Sequence, residues 1–213
     1  MELDFNKGFI DGRIIETEDG TATFKTHQIS DLVVPTGFIV ACDPFVCFDS
    51  PPFAPQIPVG TYPVILSVLQ WNDDQRVAYA KLHISNEPSI EWKMALLPNQ
   101  ALSTLTEEDE YFGYPVDAGT GCFMDKSAAN ILLTKDENYS QFMITEMEKH
   151  YVHTWDWTNI ELDSETKANL IAFKSGLGDG IYPSYFGFDA NGKVTSLVTD
   201  FLVVDDKEVY FEA

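Results

Sequence analysis

Apolar and polar side chains alternate with a period of two in paired runs along most of this chain, and that pattern limits what it can become. A strand turns successive side chains to opposite faces, so such runs read as half-buried antiparallel strands. In Arg76 to Ile84, Ala78, Ala80, Leu82 and Ile84 face one way, and Val77, Tyr79, Lys81 and His83 the other. The run pairs with Tyr62 to Gln70 across Trp71-Asn72-Asp73-Asp74-Gln75. Residues 9–16 and 21–27 flank Glu18-Asp19-Gly20, and Ser184 to Phe188 and Lys193 to Val204 flank Asp189-Ala190-Asn191-Gly192. Asp-Gly and Asn-Gly supply the left-handed positions that tight hairpins need. Further strands are expected over Val33-Val34, Gly37 to Cys42, Trp157 to Leu162, Ala168 to Phe173 and, at an edge, Glu208 to Phe211. Ile90, Trp92, Met94 and Leu96 share a face. The four prolines between Asp49 and Pro58 make that stretch a loop, and Thr104 to Glu110 is an acidic one.

Two helices interrupt the strands. Asp125 is placed to cap a helix over 126–133, and Ser140 to cap one over 140–150. In the second, Phe142, Met143 and Met147 form the expected apolar stripe. No fixed-period repeat is present. The expected fold is therefore α+β and mainly β, with antiparallel sheets or a sandwich of hairpins. At 213 residues a single domain spanning 1–213 is expected, with the hairpin 9–27 as a candidate appendage.

Charge narrows the partners. Asp and Glu number 34 against 13 Lys and Arg, a formal charge of −21, and only Arg13 and Arg76 are arginines. Nucleic-acid binding and bidentate phosphate capture need the cationic footprint that is missing. An acidic surface suits a cation or a basic protein, and also serves solubility alone. The opening segment has no basic stretch before an apolar one, and no apolar run approaches the ~18–20 residues of a membrane span. With three cysteines, Cys42, Cys47 and Cys122, free thiols and a cytoplasmic location are expected.

No motif carries a catalytic signature. Gly176-Leu177-Gly178-Asp179-Gly180 is followed by Ile181-Tyr182-Pro183, which opens no helix, so it reads as a tight bend rather than a phosphate loop. Val116-Asp117-Ala118-Gly119-Thr120-Gly121 is a second cluster of small residues. If Asp117 and Asp179 meet, joined by Asp43 or Asp200, they form a hard oxygen site for Mg²⁺ or Ca²⁺; no other cofactor is expected. Asp189 to Lys193 lacks the distal ligands of a calcium loop, and the cysteines lack zinc spacing. Cys122 with His150 or His153 needs a contact that spacing alone does not supply, and Ser175 lacks a nucleophile elbow. The aromatic stretch His150, Tyr151, His153, Trp155 and Trp157 reads as a helix-to-strand junction packing inward.

Several short segments occur in a fixed order: Cys42-Asp43-Pro44-Phe45, Pro58-Val59-Gly60-Thr61-Tyr62-Pro63-Val64, Arg76-Val77-Ala78, Trp92 with Ala95, Val116 to Gly121, Ser175 to Pro183, Gly187-Phe188-Asp189 with Gly192, and Thr199-Asp200-Phe201. Together they resemble the bacterial domain-of-unknown-function family numbered four thousand two hundred and forty-one, over about residues 30 to 204. Leu177 stands where that family often carries Trp. The resemblance implies a bacterial protein with no assigned activity, and marks Asp43, Asp117, Gly119, Asp179, Gly180, Tyr182 and Asp200 as where a site would lie. Two functional expectations follow. One is an acidic protein-binding module, of which an immunity-type protein neutralising a basic toxin is one form. The other is a metal-assisted hydrolase or small-ligand binder built on Asp117 and Asp179.

Overall fold

The computed structural model describes residues 3–17, 20–46, 49–107, 109–136 and 138–204. The strand expected over Glu208 to Phe211 lies outside them, as do Cys47 and the Glu18-Asp19 pair. Among the described residues there are twelve strands: β1 (Ile14–Thr17), β2 (Gly20–Val34), β3 (Ile39–Cys42), β4 (Gly60–Trp71), β5 (Asp74–His83), β6 (Glu91–Met94), β7 (Gly113–Val116), β8 (Thr120–Asp125), β9 (Trp157–Glu161), β10 (Asn169–Lys174), β11 (Gly180–Phe188) and β12 (Val194–Asp200). The α-helices among the described residues are α1 (Lys126–Leu132) and α2 (Asn138–Glu148). Every strand pairing is antiparallel, and the fold is α+β and mainly β, as the alternation predicts.

The larger sheet runs β1-β2-β4-β5-β12-β11-β6, with β7 also on β11; the smaller runs β3-β8-β10-β9. Their inner faces share a core that includes Leu32, Leu66 and Leu82 from one sheet and Ile39, Phe123, Ile171 and Phe173 from the other. The alternate residues of the small sheet, Val40, Cys122, Met124, Leu170 and Ala172, turn outward to meet Ala128, Leu132, Met143 and Met147 of the helices. The small sheet is thus buried on both faces, which is why β3 and β8 carry no polar alternation. On the far side of the large sheet, Phe5 packs edge-on to Tyr79 and Trp92, in a third cluster with Phe24 and Val204. The 9–27 hairpin region enters the large sheet directly, because β2 pairs with β4 from Thr23 to Val34.

Local signals account for the ends of several elements. The Asp125 carboxylate accepts the Ser127 amide and caps α1. The second helix differs from expectation: it starts at Asn138, and Asp136 rather than Ser140 accepts the Asn138 amide. Phe142 is 44% exposed, so the buried stripe of α2 reduces to Met143 and Met147. Asn169 joins the sheets. Its Oδ1 accepts the Val33 amide at 2.8 Å and its Nδ2 donates to the Asp31 carbonyl at 2.9 Å, so one side chain stands in for a strand partner.

Phe123 is fully buried and meets Phe173 edge to face at a centroid separation of 5.2 Å. Phe123→Ala is expected to lose about 3–5 kcal/mol in urea melts, since it leaves a cavity between the sheets. Val59→Ala, at a site 66% exposed, is expected to change stability by less than about 0.5 kcal/mol.

Candidate functional site

Six of the seven residues marked from sequence converge on one junction. Asp43 follows β3, and its carboxylate, fully buried, reaches across to the turn between β7 and β8. There Oδ2 accepts the amides of Asp117 at 2.9 Å and Ala118 at 2.7 Å, while Oδ1 accepts the Phe45 amide at 2.9 Å. Asp179, on the bend after β10, uses Oδ1 to accept the Gly119 amide at 3.0 Å. Gly119 takes φ +59°, a left-handed conformation that costs glycine little. Its carbonyl accepts the Ser175 amide.

The 175–180 bend is closed by its own groups. Ser175 Oγ and Tyr182 Oη both donate to the Gly178 carbonyl at 2.8 Å, so the Ser175 hydroxyl is engaged within the loop. The Tyr182 ring folds over Gly180, where an added Cβ would stand 2.9 Å from ring carbon Cζ. Burial, with the Asp179 charge adding to it, raises the Tyr182 phenol above its ordinary pKa. Gly176 sits at φ +52°, and a Cβ there would meet Val203 Cγ2 at 2.7 Å. This is the tight bend expected from the glycines.

The junction brings Asp43, Asp117, Gly119, Asp179, Gly180 and Tyr182 together, but through main-chain bonds. The carboxylates of Asp43 and Asp179 brace a turn, and the Asp117 side chain is exposed. Among the described residues no group of three or more His, Cys, Asp or Glu side chains is placed to hold a metal ion. Asp200 lies elsewhere. It ends β12, accepts the Leu202 amide at 2.8 Å and lines a separate groove. Cys122 is buried with its Sγ 3.7 Å from that of Cys42, directly opposite on β3. His150 stacks on Trp157 at 4.1 Å and Trp155 is buried, but His150, Tyr151 and His153 are exposed, so only the Trp155–Trp157 end of the aromatic stretch packs inward.

Two concavities flank this framework. The first is a groove of about 800 Å³ along β6 and β11, with Trp92, Tyr111, Tyr185 and Phe188 on its walls and Asp109 and Glu110 from the acidic loop beside them. Lys93 already sits 5.0 Å over the Phe188 ring. The second is a cleft of about 540 Å³ between α2 and the small sheet, which Ala118 and Thr120 of the braced turn help to wall.

The second cleft contains a residue that sequence reasoning passed over. Five carboxylates are buried among the described residues: Asp43, Asp125, Asp156, Asp189 and Asp200. Four of them accept backbone amides. Asp156, 8% exposed, is the exception, with a buried Oδ1 that has no hydrogen-bond partner. The available signal was an acid set between Trp155 and Trp157, in a segment expected to pack inward. Burial raises its carboxyl pKa; Lys174 pulls it down, and Glu148 pushes it up again.

Asp43→Ala is expected to cost about 3 kcal/mol in urea melts, because it strands three amides that now bond to a charged acceptor. Asp156 carries the opposite sign. The folded protein holds its proton more tightly than the unfolded chain, whose ordinary value is 3.8. The associated stability is present below that value and is lost as pH rises through the folded one. Asp156→Asn is therefore expected to be more stable than the parent near neutrality, with the gap closing as pH falls towards the ordinary value. Denaturant melts across that range check it, and an unaltered or lowered midpoint near neutrality contradicts it.

No helix among the described residues is long and apolar enough to cross a membrane. No curated protein and no solved structure matches the chain. A family model described as a protein of unknown function, DUF4241, matches residues 32–199. That span contains every residue of the braced junction and both walls of the Asp156 cleft, and the chain belongs to the DUF4241 family.

Proposed function

We propose that this protein is a binding module that takes a basic, extended segment of a partner protein into the aromatic and acidic groove beside β6. The observation that carries the reading is the groove itself. It combines aromatic faces, which attract cations, with Asp109 and Glu110 beside them. Bonds from the Thr106 and Glu107 amides hold Glu110 below its ordinary pKa, so it stays charged at neutral pH. The position of Lys93 over Phe188 is an internal example of the contact that a partner's lysine would make.

Strand order supports an extended partner. β6 ends the large sheet, and among the described residues no strand pairs with its outer edge. A segment from another protein can add there by main-chain bonding, with alternate side chains entering the groove. The formal charge of −21 favours a cationic partner and speeds its approach. Only four ion pairs form among the described residues, so most of the surface acid is left uncompensated. Neutralisation of a basic toxin is the specific form of this reading, and a cytoplasmic location without nucleic-acid or membrane partners belongs to the same proposal. The metal-assisted alternative on Asp117 and Asp179 has less support, because Asp179 is committed to the Gly119 amide.

The test uses fluorescent peptides that alternate valine with lysine or with glutamate, read by polarisation. The lysine peptide is expected to bind, to weaken as salt rises, and to lose about tenfold or more in affinity to an Asp109→Lys, Glu110→Lys variant. Equal binding of both peptides, or none at low salt, overturns the proposal.

A further inference from the structure

The Asp156 cleft is separate from the β6 groove and raises a different question: what supplies the donor that its buried Oδ1 lacks. An unpaired buried carboxylate costs stability. The fold satisfies its other buried acids with main-chain amides, so the omission at Asp156 is local. The surroundings are specific. Lys174 lies opposite Thr120 at the end of β10, and its amide bonds the Asp156 carbonyl at 3.1 Å, which fixes the two residues side by side. Lys174 is half-buried and forms no ion pair among the described residues. Glu148 is the last residue of α2, where a negative charge opposes the helix dipole, so helix stability does not favour an acid there. Phe45, Ile144 and Met147 supply apolar wall, and Ile144 is 41% exposed.

We infer that this cleft binds a free amino acid with an apolar side chain. Its ammonium group is taken by Asp156 and Glu148, its carboxylate by Lys174, and its side chain by Phe45, Ile144 and Met147. The charge pattern selects this class. Two carboxylates and one ammonium disfavour a phosphate or other simple anion. A bare amine would meet the two carboxylates but leave Lys174 without an acceptor, which a ligand that also carries a negative group supplies. A metal ion would meet a lysine among its neighbours, and no metal-holding cluster is present among the described residues. A cleft of about 540 Å³ falls within the usual range for small-molecule sites. Its wall is held by the Asp43 bonds to Asp117 and Ala118, so the site is built before any ligand arrives.

The experiment is titration calorimetry and thermal melting of the whole chain with four probes: leucine, methionine, leucinamide, which lacks the carboxylate, and 4-methylpentanoate, which lacks the amine. Leucine or methionine is expected to bind and raise the midpoint at up to about 10 mM. The two truncated probes are expected to bind at least about tenfold more weakly. Asp156→Asn, which keeps the shape of the side chain, and Lys174→Gln are each expected to lose about tenfold or more in affinity for the amino acid. Should Asp156→Asn fail to fold, Lys174→Gln decides. The inference is overturned if neither amino acid binds. It is also overturned if leucinamide binds as well as leucine, which would indicate a peptide N-terminus, or if folded Asp156→Asn or Lys174→Gln binds like the parent. Because the β6 groove is on another surface, peptide binding there is unaffected by any of these outcomes.

Discussion

Main-chain amides are the counter-charges of this protein. A chain with two arginines and a large excess of acid has few side-chain cations to place beside a buried carboxylate. The structure instead turns backbone donors towards Asp43, Asp125, Asp189 and Asp200. A carboxylate satisfied in this way fixes a loop, because the donors come from specific residues in specific conformations. At Asp125 the same side chain caps α1 and, through Oδ2, accepts both the amide and the hydroxyl of Thr36, so helix start and loop are set together. Asp189 does likewise for the β11–β12 turn, and the amides of Lys193 and Asn191 hold its carboxyl below the usual range.

The layering then decides where function can sit. The small sheet is covered on one side by the large sheet and on the other by the helices, so its open end, between α2 and the β7–β8 turn, becomes a cleft. The large sheet is covered on its far face by the N-terminal segment around Phe5, and β6 is left at its margin. Two concave surfaces result, one holding a carboxylate whose buried Oδ1 has no hydrogen-bond partner and one lined by aromatic rings with acids beside them. They differ in the chemistry they can accept because different layers form them.

What could be read from sequence follows from how local each signal is. The β4–β5 and β11–β12 hairpins were legible because their turn residues sit between the paired runs. The α1 cap was legible because Asp125 adjoins the helix that it caps. The strand β8 was not, since all six of its residues are buried and it carries no alternation to read. The start of α2 was misplaced because a serine inside the first turn has the same composition signal as a cap. The marked acids did gather, yet their role as braces depends on contacts 74 and 60 residues apart along the chain. Asp156 was invisible for a related reason: the lack of a partner is a property of the assembled surroundings, not of neighbours in sequence.

The brace that links residues 43, 117 and 179 also orders events in time. Its three segments of chain are made far apart, so a nascent polypeptide cannot finish this corner until Asp179 has been synthesised. Closing such distant loops is entropically slow and comes late relative to local hairpins. A product stalled before residue 179 would therefore carry the residues of the β4–β5 hairpin but lack the brace, so the cleft wall is fixed only in chains extended beyond that position.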